Sequence, residues 1–310
     1  GASRMSEPRE RLVPSGAELQ RLATGATWSE GPLWMPAERA VRWSDIPGDR
    51  ILRWDAATGS TSVHRARVEF TNGRALDRDG SVVQCSHGRR RLERELPDGT
   101  LVELVSRWRG HRLNSPNDVA IAPDGSYWFT DPDYGIRQPH EGHPGEPEYG
   151  GCHVFRWSPA DGIRPVIDDI VRPNGIAFSP DGATVYVTDT AAGLGDGPGH
   201  WICAYDVAGG GGAASNGRLF ATLDVGLPDG IAVDEEGRVW SSAGDGVHVF
   251  DPTGAELLFL PVPEVVANLC FGGDDGTELF IAATTSLYRI PTLTRGADPV
   301  SRHAVANNVK

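Results

Sequence analysis

The chain has 310 residues, with 29 Lys and Arg against 42 Asp and Glu, a formal net charge of −13. That acidic balance does not attract polyphosphate, and no apolar run approaches the ~20 residues of a membrane-crossing helix, so neither nucleic acid nor membrane is an expected partner. Hydrophobic residues make up 39%, enough for a sizeable core, and 39 Gly and 23 Pro are scattered as they are where turns join many short strands.

In chain order, Gly1–Met5 reads as a vector-derived leader before an initiator Met5. No apolar signal segment follows, so the cytoplasm is the expected location. Residues 1–17 are read as this leader plus an extension, 18–292 as one folded domain and 293–310 as a tail. A lone strand, Glu18–Ala23, precedes a set of internal repeats. The turns Asp79-Gly80, Asp124-Gly125, Asp181-Gly182, Glu236-Gly237 and Asp275-Gly276 each lie between two apolar stretches. Eight residues before these glycines stand Asn72, Asn117, Asn174, Asp229 and Asn268, and Glu30 stands eight residues before Glu38 in a first copy. Each of the six opens a short apolar strand.

Second strands are expected over Val41–Asp45, Val82–Ser86, Tyr127–Asp131, Val185–Asp189, Val239–Ala243 and Leu279–Ala283. Third strands are expected over Ile51–Trp54, His153–Trp157, Trp201–Tyr205, Val247–Phe250 and Leu287–Ile290. Helices should be minor, since no 3.6-residue apolar period persists. Six copies spaced 39 to 57 residues apart predict an all-β, six-bladed β-propeller of four-stranded blades. The last copy runs out near Ile290, so the N-terminal strand Glu18–Ala23 should complete the last blade and hide its open edge. Pro132–Gly151 and Ala191–His200 are long enough to form a rim or lid. Val207–Asn216, with the Gly209–Gly212 run, reads as a flexible surface turn, and the tail after Pro291 as partly disordered. Cys85, Cys152, Cys203 and Cys270 have no CxxC spacing, so they read as buried thiols of a reducing cytosol.

In a propeller the first strands line the central channel in one sense, so residues that open them converge at one mouth. Glu30, Asn72, Asn117, Asn174, Asp229 and Asn268 are all oxygen donors, and none is His or Cys. Two carboxylates with amide oxygens suit one hard divalent cation, Ca²⁺ before Mg²⁺ or Mn²⁺. The competing explanation, that Asn and Asp merely make good turns, does not account for Glu30 or for one register in every copy. Asp131 and Asp189 read as caps of blade turns. His87, His140, His143 and His153 fit lid or surface roles better than acid catalysis.

Trp28-Ser-Glu-Gly-Pro-Leu-Trp34, Asn114-Ser-Pro-Asn-Asp118, Phe129-Thr-Asp-Pro132, Arg172-Pro-Asn-Gly-Ile-Ala-Phe178, Val187-Thr-Asp189 and Leu227-Pro-Asp-Gly-Ile-Ala-Val233 resemble the senescence marker protein, gluconolactonase and luciferin-regenerating enzyme family. The likeness runs from about Leu22 to Ile290, and Cys85-Ser-His87 with Arg90-Arg-Leu92 is most similar to its bacterial gluconolactonase branch. The resemblance implies a six-bladed propeller with one catalytic divalent metal, often Ca²⁺ and sometimes Zn²⁺ or Mn²⁺, that opens sugar lactones such as gluconolactone. No organic cofactor is expected. By position, Glu30, Asn174 and Asp229 match the family's metal ligands. Asn117 sits where some members have a ligand and others a substrate- or water-contacting Asn, and Asp118 completes the family's Asn-Asp pair. Animal members place a substrate-holding Arg where this chain has Ser115, with Arg112 nearby.

On this reading Asp229 is the general base toward water, and the cation polarises the lactone carbonyl. Asn117, Asn72, Arg112 and Tyr134 are the candidates for substrate contact. The rival readings are an organophosphate-type phosphotriesterase on the same metal site and a non-catalytic propeller that serves as a protein-binding platform. The absence of a Gly-x-Ser-x-Gly motif argues against a serine-centred triad.

Overall fold

The computed structural model describes residues 3–298, with side chains from Pro8 onward. Six antiparallel four-stranded sheets follow one another along the chain. Blade one comprises Ser29–Met35, Ala40–Asp45, Arg50–Asp55 and Thr61–Ala66; blade two comprises Thr71–Leu76, Val82–Ser86, Arg91–Glu95 and Leu101–Val105. Blade three has Val119–Ile121, Tyr127–Thr130, Val154–Ser158 and Gly162–Ile167; blade four has Pro173–Phe178, Thr184–Asp189, Trp201–Ala208 and Ala213–Thr222. Blade five has Ile231–Val233, Val239–Ser242, Gly246–Phe250 and Glu256–Pro261. Blade six has Val266–Gly272, Glu278–Ala283 and Ser286–Pro291, and its outermost strand is the N-terminal Gln20–Thr24, paired antiparallel to Ser286–Pro291. The fold is the expected six-bladed β-propeller, closed as the sequence reading required. Closure leaves no unpaired strand in the last blade.

The core lies between the blades. Second strands are almost wholly buried, because each is covered on both faces by neighbouring blades; Trp128 and Trp240 fill the same register in blades three and five, and Trp43 is fully buried one position further on in blade one. Aromatic pairs cross the blade boundaries; Trp34 of blade one stacks on Phe280 of blade six with centroids 5.6 Å apart.

Three features depart from the sequence reading. A helix, Ser3–Leu12, precedes the propeller, and Leu12 and Val13 beyond its polar stretch are buried among apolar residues of blades five and six. The stretch 207–216, expected as a loop, is mostly strand, and only the glycine-rich tip turns. The tail is ordered as far as it is described: Leu293 N–H donates to Leu12 O at 2.9 Å, and Ala297 N–H to Val233 O at 2.8 Å. Gly1, Ala2 and the remainder of the tail lie outside the described residues. All four cysteines are free thiols, and no helix among the described residues is long and apolar enough to cross a membrane.

Candidate active site at the polar channel mouth

The ring is positioned by two recurring devices. In blades one, two, four and five the residue after the ring position is glycine: Gly31, Gly73, Gly175 and Gly230. There the inner strand of one blade lies against the ring residue of the next. A Cβ on Gly31, whose φ is +54°, would sit 2.3 Å from Asn72 O, and one on Gly175 would sit 2.2 Å from Asp229 O. The second device is the Ser/Thr-Asp pair that ends three second strands. Its hydroxyl reaches the next blade: Ser44 Oγ donates to Asn72 O at 2.9 Å, Thr130 Oγ1 to Asn174 O at 2.7 Å and Thr188 Oγ1 to Asp229 O at 2.9 Å. Its carboxylate holds the loop entering its own blade, so Asp131 accepts from Asn114 N–H and Asp189 from Arg172 N–H. The structural role expected for Asp131 and Asp189 is what their bonds show.

Glu30, Asp229 and Asn174 come together. The Glu30 and Asp229 side chains are close enough to shift each other's titration, and the Asn174 amide acts on Asp229 as well. Burial, then the Asp229 charge, pushes the Glu30 carboxyl well above the usual range. Burial also lifts Asp229 to about 7, with the charges of Glu141 and Asp118 adding to it. No basic side chain is among the leading influences on either group. Two such carboxyls in contact share a proton unless a cation is supplied. The chemistry of this donor set, two carboxylates beside an amide and no cationic neighbour, fits a hard divalent ion. Among the described residues no group of three or more His, Cys, Asp or Glu is arranged to hold a metal, so a site here must draw on amide oxygens.

The other candidates divide. Asn117 is buried at 4% exposure, and its carbonyl accepts from Gly73 N–H at 2.8 Å. Tyr134, on the short helix Tyr134–Arg137 of the first insertion, bonds Thr190 Oγ1 at 2.5 Å; Thr190 Oγ1 in turn lies 3.4 Å from Asn174 Nδ2. Arg172 covers the Tyr134 ring, 5.7 Å from its centroid. Asn72 faces His87, with Nδ2 3.2 Å from Nε2. Asn268 turns away, its Nδ2 3.4 Å from Asp118 Oδ2 and its Oδ1 accepting from Leu269 N–H. Arg112 is not brought to this cluster: it sits on a two-stranded hairpin, its N–H is held by Glu148 and it lies electrostatically beside Arg90.

Two residues of the site escaped the sequence reading, and a third, Asp118, entered it only as part of the Asn-Asp pair. His87 is not at the surface but buried at 1% exposure under the insertion. Glu141, inside the insertion, is lifted to about 7 by burial, and its charge reaches Asp229. Asp118 occupies the position that is glycine in four other blades, and burial raises it to about 7. That break in the glycine pattern is the signal that could have found it. Ser115 locks the insertion: its Oγ donates to Pro132 O at 2.6 Å and accepts from Gly135 N–H at 2.9 Å. A cavity of about 650 Å³ fills the other half of the channel, from Gly31, Arg74, Asp118 and Asn268 to the far turns. It is lined mainly by apolar side chains such as Trp34, Phe178 and Phe271, and the Glu30–Asp229 pair lies outside it.

The family model of the SMP-30/Gluconolactonase/LRE-like region matches residues 28–285. The chain belongs to this family. It is 30% identical to the gluconolactonase of Zymomonas mobilis over 95% of this chain and 86% of that protein. It is also 30% identical to a pentonolactonase of Haloferax volcanii, over 83% of this chain and 82% of that one. Among solved structures, a gluconolactonase of Xanthomonas campestris superposes with a TM-score of 0.84 at 42% identity, covering 91% of each chain. The matched family region spans blade one to blade six and contains every ring residue.

Proposed function

We propose that the protein hydrolyses a sugar lactone to its aldonic acid at the Glu30–Asp229 mouth, with one hard divalent cation, Ca²⁺ first among the candidates. The observation that carries this reading is a pair of carboxyls, Glu30 buried and Asp229 half-buried, that shift each other's titration beside Asn174 with no basic side chain among their leading influences. The lactone-hydrolysing relatives support the substrate class. Glu30, Asn174 and Asp229 would hold the ion, with Asn117 beside them. Bound there, the cation supplies polarisation of the lactone carbonyl and charge stabilisation as water adds. Asp229 takes the proton from the attacking water. Glu30 anchors the ion and balances its charge. Asn117, Asn72 and Tyr134 line the mouth for the hydroxyls of the sugar ring. The insertion that carries Tyr134 and Glu141 narrows the entrance and excludes water around the pair.

The test is base consumption in a pH-stat with D-glucono-δ-lactone and, separately, an organofluorophosphate. Protein as purified, chelator-stripped protein and stripped protein with Ca²⁺, Mn²⁺ or Zn²⁺ restored are compared. The proposal expects lactone opening that is lost on stripping and regained on restoration. Hydrolysis of the organofluorophosphate alone would move the assignment to phosphotriester chemistry.

A further inference from the structure

The bonds around His87 determine which way the Asn72 amide points. His87 Nδ1 lies 2.9 Å from the backbone carbonyl of Glu141. A carbonyl oxygen can only accept, so Nδ1 carries the hydrogen. The ring is neutral, because burial lowers its pKa to about 4, and Nε2 therefore presents a lone pair. Asn72 Nδ2, 3.2 Å away, is the donor to that lone pair. This leaves Asn72 Oδ1 turned from His87, buried and without a hydrogen-bond partner, on a residue only 3% exposed. A buried unmatched acceptor costs stability unless something fills it.

Asn72 shares the register of Glu30 and Asp229. Glu141 spans the space between them, its carbonyl on His87 and its carboxyl within electrostatic reach of Asp229. The His87 imidazole is itself fixed, since the insertion packs on it: a Cβ on Gly135 would lie 2.6 Å from His87 Cβ. We propose that Asn72 Oδ1 accepts a hydrogen bond from a ring hydroxyl of the lactone, and that His87 is the positioning residue that holds the amide in this orientation through the Glu141 carbonyl. The insertion thereby contributes to sugar recognition without touching the sugar at this point. Without the Nε2 lone pair the amide is released to rotate, and the ring hydroxyl meets a mixture of carbonyl oxygen and NH₂ in place of one fixed acceptor.

This rests on the lactone reading above. Its test uses the full-length, metal-loaded protein with two substrates, D-glucono-δ-lactone and δ-valerolactone, which lacks the hydroxyls. The readout is the ratio of the two kcat/KM values, which is independent of how much protein is folded. His87→Leu and Asn72→Leu should each lower the ratio by about tenfold, the effect of one lost hydrogen bond, with KM for the gluconolactone rising more than its kcat falls. His87→Gln, which returns an acceptor near the Nε2 position, should recover part of the ratio. An unchanged ratio in both leucine variants overturns the inference. So does an unchanged ratio accompanied by weakened Ca²⁺ binding, which would give the Asn72 oxygen to the ion. Failure of the wild-type protein to open either lactone would instead remove the lactone reading, and this inference with it.

Discussion

The two ends of the central channel are built by the same six strands and could hardly differ more. At the mouth the strands begin with Glu30, Asn72, Asn117, Asn174 and Asn268, each at most 7% exposed, and with the half-buried Asp229. The backbones of Asn72, Asn174 and Asp229 are held by Ser44, Thr130 and Thr188 from neighbouring blades. At the far end the same strands finish in Trp34, Phe178, Val233 and Phe271, which line an apolar cavity. Asp118, Arg74 and Asn268 separate the two halves. Stability and chemistry are thus distributed along each strand, and substitutions a few residues apart should have opposite consequences.

The largest effect is expected at the mouth. Asp229→Asn should lower kcat/KM for the lactone by roughly 10³-fold, a loss typical of a missing general base or electrostatic stabiliser. The thermal midpoint of metal-free protein should not fall, since the substitution removes a charge from a buried like-charged pair. Steady-state kinetics with a melting curve checks both. At the far end Phe271→Ala should do the reverse. It removes a 5% exposed ring whose centroid lies 5.3 Å from that of Trp240. The cost should be about 3 kcal/mol in denaturant unfolding, with kcat/KM per folded molecule changing less than twofold. A large loss of activity in folded Phe271→Ala protein would break the separation.

Gly175→Ala tests the point where packing and site meet. The new Cβ would press on Asp229 O, 2.2 Å away. Both stability, by about 2 kcal/mol, and turnover should therefore fall together. The smallest effect concerns another carboxylate. Burial works to raise Glu264, but the Thr285, Tyr288 and Ser286 hydroxyls more than offset that and hold it at about 2. A carboxyl whose folded value is depressed contributes stability above its unfolded pKa, and that stability is lost as pH falls toward the folded value. Glu264→Gln should therefore cost a little stability at pH 7, of the order of 1 kcal/mol, and almost none near pH 2. A penalty that grows on acidification would contradict the assignment.

The comparison also shows what a sequence can and cannot reveal here. The blades were legible because the turns recur at one register, and the closure because the strand read over Glu18–Ala23, observed over Gln20–Thr24, had no other partner. Circular symmetry, which turns a shared register into proximity, placed all six ring residues at one mouth, and the family resemblance singled out Glu30, Asn174 and Asp229 among them. His87 and Glu141 could not. Their approach depends on an aperiodic insertion folding back across the mouth, fixed by Ser115 Oγ and the close packing of Gly135 on His87. Arg112 looked close along the chain but lies on a hairpin outside the ring. The glycines after the ring positions and the Ser/Thr-Asp pairs were present in the sequence, yet their meaning is an inter-blade contact that only the assembled ring displays. The helix Ser3–Leu12 is polar along most of its length and acquires its anchor only from Leu12 and Val13 at its end.

Calorimetric titration of Ca²⁺ into chelator-stripped protein, with lactone turnover followed on the same samples, addresses the central claim most directly. The account predicts one ion bound per chain, turnover restored in proportion to occupancy, and neither in Asp229→Asn. Full lactone hydrolysis by stripped protein, or an undiminished titration in Asp229→Asn, would contradict it.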